Sequence, residues 1–166
     1  MADVIEEAYA VFEGAGLTTG QVFKVVPGDG TTLGAIPRDG GVNFAVASSV
    51  AEEVRLCLFD TDGNEAQVPL PDCEEGVWHG FVPGIGPGQA YGYRVRGPFE
   101  PARGLRCNPD KLLLDPYARA FSGQVTYGPK LLGHDPAHPR RWHADDRTRV
   151  GGPGVPLPDR CQRREC

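Results

Sequence analysis

From Gly41 onward, apolar residues fall at every second position. In "GVNFAVA", Val42, Phe44 and Val46 share one face while Asn43, Ala45 and Ala47 share the other. That period of two predicts a half-buried strand. "EVRLCLF" repeats it with Val54, Leu56 and Leu58, and "DTDGNE" then supplies Asp62-Gly63, a strong hairpin-turn signal. "AQVPL" and "GVWHGFV" follow. After the loop "PGIGPGQ" comes "YGYRVRG", with Tyr91, Tyr93 and Val95 on one face and Arg94 and Arg96 on the other. Five turn-punctuated strand candidates within about sixty residues predict a β-sandwich.

The flanks read differently. Val4, Ala8, Val11 and Phe12 recur at helical spacing ahead of Gly14 and Gly16, which predicts a short amphipathic helix in the leader, residues 1–20. After Gly97 the alternation stops. "PFEPARGLRCNPD" is expected to be loop, with a turn at Asn108-Pro109-Asp110. Leu112, Leu113 and Leu114 form a run too short to span a membrane and without strand alternation. Asp115 before Pro116 predicts an N-cap opening one helical turn through "PYARA". The end of the chain is poor in apolar residues and is expected to be irregular and disordered.

Composition supports this picture. Glycine (23) and proline (16) are both frequent among 166 residues, which suits many turns and little helix. A net charge of −5 argues against nucleic acid as a partner. No apolar run approaches 18 residues, so no membrane is expected either. The acidic start "MADVIEEAYA" lacks the basic region of a signal peptide, so the expected location is the cytoplasm. Five cysteines include no C-x-x-C pair, and Cys57 and Cys107 read as small buried apolar residues.

Candidate chemistry is thin. His134 and His138 stand four apart, but Pro136 and Pro139 forbid the helix that would align them, so no metal site is assigned. "PGDGTTLG" lacks the G-x-G-x-x-G spacing and reads as a turn. The acids sit mostly in turns, and no frame holds two carboxyl groups across a cleft as glycoside hydrolysis requires. No catalytic residue and no cofactor is expected. Flat rings on a sheet can stack on glucose units, which makes Trp78 and Tyr91 candidate sugar contacts, with His79, Arg94 or Gln89 bonding hydroxyls. For Tyr91 and Tyr93 core filling is the preferred reading, whereas Trp78 stays between the two. By parity Trp78 lies opposite Val77, His79 and Phe81, so if Phe81 is in the core Trp78 faces out.

The stretches "LGA", "GVNFAVASS", "VRLCLFD" and "WHGFVPGIGPGQAYGYRVRGPFEP", followed by "GLRCNPDKLLLDPYARA", carry a resemblance. From about Pro27 to Ala120 the chain resembles the N-terminal part of isoamylase-type glycogen debranching enzymes of glycoside hydrolase family 13. The resemblance implies an all-β, immunoglobulin-like early-set sandwich of carbohydrate-binding module family 48. The expected division is a leader (1–20), the sandwich (21–105), a segment that packs on a catalytic barrel (106–130) and an irregular tail (131–166). Leu112, Leu113, Leu114, Asp115 and Tyr117 would then be barrel-docking residues.

In that family the sandwich precedes a (β/α)₈ barrel that hydrolyses α-1,6 branch linkages. A barrel takes about 250 residues, and fewer than fifty follow Ala120 here. The expectation is therefore a truncated, non-catalytic module of glycogen catabolism. Its implied partners are an α-glucan (glycogen or a maltooligosaccharide) and a glycoside hydrolase barrel in cis or in trans. The alternative is a purely structural domain that braces the barrel without binding sugar.

Overall fold

The computed structural model describes residues 8–11, 22–121 and 155–156. Their elements run β1 (Ala8–Val11), β2 (Val22–Val25), β3 (Gly34–Arg38), β4 (Gly41–Ala47), β5 (Glu53–Phe59), β6 (Glu65–Pro69), β7 (Asp72–Glu74), β8 (Val77–Pro83), β9 (Ala90–Arg96), β10 (Phe99–Glu100), a 3-10 turn (Pro101–Arg103), β11 (Leu105–Arg106) and β12 (Val155–Pro156). Two antiparallel four-stranded sheets, ordered β3-β4-β8-β7 and β12-β9-β5-β6, form the two layers of an all-β sandwich.

The alternation seen in the sequence builds the core. Val42 and Phe44 of β4 face Val82 and Gly80 of β8, while Leu56 and Leu58 of β5 face Tyr93 and Tyr91 of β9. These side chains close on one another between the sheets, together with Val54, Ala66, Val68 and Val25. Phe44 meets Tyr91 edge-on at 5.1 Å between ring centres, and Tyr91 meets Tyr93 at 5.9 Å, a geometry aromatic pairs prefer. The hairpin between β5 and β6 turns on Asp60, whose carboxylate accepts from the amides of Asp62 and Asn64. Gly63 takes the φ of +84° that the turn needs.

Two seams of the sandwich are closed by chain rather than by sheet. The β1–β2 ribbon lies against β6 of one sheet and β8 of the other, and Val26 bridges Phe81. On the opposite side the exit segment after β11 runs from the outer edge of β9 to β3.

Several expectations are corrected. Ala8–Val11 is a strand paired with Val22–Val25, not a helical turn; pairing with an apolar neighbour overrides a short helical period. By contrast, "PYARA" opens with the expected single turn, closed by Ala118 N–H donating to the Asp115 carbonyl at 3.1 Å, with the Asp115 side chain accepting the Tyr117 N–H. Val155–Pro156, inside the stretch expected to be irregular, pairs with Tyr91 and Ala90 of β9. Asn43 and Ala45 do point away from the core, yet both are buried. The β2–β3 connection crosses that face, and a Cβ on Gly28 would stand 2.7 Å from the Gly80 backbone. Asn43 exchanges two 2.7 Å hydrogen bonds with the Asp29 backbone, standing in for a strand neighbour. The rest of the leader, the His134/His138 pair and the remainder of the tail lie outside the described residues.

Candidate functional site

The exit segment holds the densest set of sequence-predicted residues. Leu113 adds to the outer edge of β9, the edge that also carries β12, as a one-residue strand: its N–H donates to the Tyr93 carbonyl at 2.7 Å, and the Tyr93 N–H donates back at 2.9 Å. Leu112 crosses Gly92, where a Cβ would come within 2.9 Å of its Cδ1 and 3.1 Å of the Leu113 carbonyl, so glycine lets the segment lie this close without displacement. Five residues on, Tyr117 reaches Gly34 of β3, 3.1 Å from where a Cβ would stand. The segment is thus a strap tying the edge of one sheet to the edge of the other.

Its middle residue points inward. Asp115 is 1% exposed, and its Oδ2 accepts the Tyr91 hydroxyl at 2.8 Å while its Oδ1 accepts the Tyr117 N–H at 2.8 Å. A buried carboxylate held by donors on both oxygens is far less costly than a lone one. Burial first, and then the Asp115 hydrogen bond and charge, push the Tyr91 phenol far above its ordinary value. The Tyr93 hydroxyl, also buried in the core, has no hydrogen-bond partner among the described residues. Its phenol is raised too, again chiefly by burial.

The other side of the strap is apolar and open. Leu114 is 51% exposed, Tyr117 56% and Phe121 62%, and Leu113 is exposed beside them. The proline-bounded leucine run in the sequence pointed to this face; Phe121 was missed, lying one residue past the recognised stretch. Asp115, named with the docking residues, belongs to the inner face. Leu112 is half-buried against β9.

The sugar-contact candidates do not gather on one surface. Tyr91 is a core side chain. Trp78 stands beside Val46 on the core-facing side of its sheet, half-buried, with Nε1 donating to the Ser48 carbonyl at 3.3 Å. Phe81 takes the other face, so the parity condition resolves with Trp78 inward. His79, 4% exposed, lies under Gly30 with both ring nitrogens unpartnered and Nδ1 4.0 Å from Asp72 Oδ2. Arg94 sits on the outer face of the second sheet. It grips Glu65 through Nε at 2.6 Å and a terminal nitrogen at 2.8 Å, and bonds the Pro109 carbonyl at 3.4 Å. Gln89 spans the Phe59 and Ala90 carbonyls. Periodicity marks which face such residues take, but not the loop or acid that covers them there.

Fold and strap define an antiparallel β-sandwich module with an apolar exit strap along one seam. Residues 32–118, from just before β3 to the end of the strap turn, match the family model of carbohydrate-binding module 48 (isoamylase N-terminal domain), and the chain belongs to that family. It is 49% identical over 118 residues to the "Glycogen operon protein GlgX homolog" of Mycobacterium tuberculosis (strain ATCC 25618 / H37Rv), covering 70% of this chain and 16% of the relative. It is also 51% identical over 110 residues to the "Glycogen debranching enzyme" of Serratia proteamaculans (strain 568), covering 66% of this chain and 17% of the relative. The chain therefore spans about a sixth of the length of the curated relatives it matches. Among the described residues no helix is long and apolar enough to cross a membrane.

Proposed function

We propose that the chain serves as a non-catalytic N-terminal module of a glycogen debranching enzyme, associated with α-glucan through that enzyme and docked on its glycoside hydrolase barrel by the outer face of the strap. The observation that carries this reading is the set of exposed Leu113, Leu114 and Tyr117 on a segment tied to both sheet edges, with exposed Phe121 just past it. Large apolar side chains left open on one short segment are candidates for an interaction surface. Family membership and the names of the relatives supply the enzyme class. The reading places the module in the cytoplasm, beside the glycogen for which its relatives are named.

A second reading, direct contact with α-glucan, is favoured by one feature only: the half-exposed Trp78 ring at the end of its sheet. Co-sedimentation with glycogen separates the two. A chain that stays in the supernatant supports docking alone. A chain that pellets, and is released by Trp78→Ala, replaces docking with direct binding as the module's role. Release of linear chains from a branched glucan by the purified protein would overturn the non-catalytic assignment under either reading.

A further inference from the structure

We infer that the strap from Leu112 to Ala118 is a separately releasable unit, latched to the sandwich by the Tyr91–Asp115 link. The inference does not rest on the docking reading, because it concerns the chain alone. Of these seven residues only Asp115 is fully buried; Leu112 and Ala118 are half-buried, and Leu113, Leu114, Pro116 and Tyr117 are exposed. Such a segment has few apolar contacts to lose on opening, and segments of that kind open well below the global unfolding free energy.

Polar ties among the described residues add to those contacts. The Leu113–Tyr93 bridge secures one end, while the turn that closes on Ala118 secures the other. Asp115 joins them, accepting from Tyr117 within the strap and from Tyr91 across the seam. A bond to a charged acceptor is worth more than one between neutral groups, so a single hydroxyl sets a large share of the closing free energy. When the strap opens, Asp115 regains water and the cross-seam tie between β9 and β3 is lost, while the sheets keep their own ladders.

The test is site-resolved hydrogen exchange on the full chain. Tyr91→Phe keeps the ring in the core and deletes only the donor. The amides of Leu113, Tyr117 and Ala118 are expected to exchange about tenfold faster, whereas Leu70 and Phe81, bonded to Val54 and Val26, stay within about twofold. Asp115→Asn, whose amide oxygen can keep the Tyr117 N–H while its NH2 donates a neutral bond to the Tyr91 hydroxyl oxygen, removes the charge but not the link and is expected to give a smaller split in the same direction. Unchanged strap amides would overturn the inference, as would a rise shared equally by strap and core. Failure of both variants to fold would also overturn it, by making the link part of the core.

Discussion

Glu65 and Arg94 reach toward each other across β5 on the outer face of the second sheet and meet beside Cys57. Their two-pronged contact is mostly screened from solvent, the geometry in which a carboxylate–guanidinium pair is strongest. Burial by itself would raise the Glu65 carboxyl, but the Arg94 hydrogen bonds and charge outweigh it and hold the group below its ordinary range. Burial, with the Glu65 charge adding, pushes the Cys57 thiol well up, so it stays protonated and unreactive. The sign for stability follows. A carboxyl depressed on folding contributes above its unfolded value, about 4.3, and the contribution is lost as pH falls through the lower folded value. Glu65→Gln is therefore expected to melt below the parent at about pH 6 and to close that gap toward about pH 3. A gap of constant size across that range, followed by circular dichroism, would show that the pairing does not act through charge.

At the scale of elements, the hairpin between β5 and β6 offers a clean check on what the turn contributes. Asp60 accepts from three groups: the Asp62 amide at 2.9 Å, the Asn64 amide at 2.8 Å and the Asn64 side chain at 2.8 Å. Asp60→Ala removes all three in a loop where water replaces part of the loss, so a cost of about 1–2 kcal/mol is expected in denaturant titration. An unchanged midpoint would mean the strands set the turn and not the reverse. This hairpin, the strand faces and the inward Tyr91 and Tyr93 were all legible, because alternation and Asp-Gly chemistry are local signals. Departures came where partners are distant. Ala8–Val11 has a helical period over too few residues to compete with pairing to β2, and Val155–Pro156 pairs with β9 far back along the chain. The candidate site divides in the same way. A leucine run between prolines announces an unusual surface, yet which residue turns inward depends on Gly92 and Gly34, whose missing side chains make room for the strap.

For the whole molecule, the two seams are not alike. The β1–β2 ribbon brings Phe23 and Val25 into the core, whereas the strap spends most of its apolar side chains outward. Sheet edges elsewhere are blunted: Pro37 lies in edge strand β3, Pro69 in β6, and β7 is only three residues long, devices that discourage edge-to-edge pairing. Self-association should therefore run through the strap face rather than through an edge. The isolated chain is expected to bind a hydrophobic dye and to form concentration-dependent oligomers in sedimentation velocity. Leu114→Ser combined with Tyr117→Ser should abolish both, while changing stability by no more than about 1 kcal/mol, since exposed side chains contribute little to folding. Tyr117 enters the latch through its backbone amide alone, so the double variant leaves the Asp115 bonds in place. A parent chain that stays monodisperse and dye-free at high concentration would show that these side chains need no cover, and the barrel-docking role would lose its physical basis.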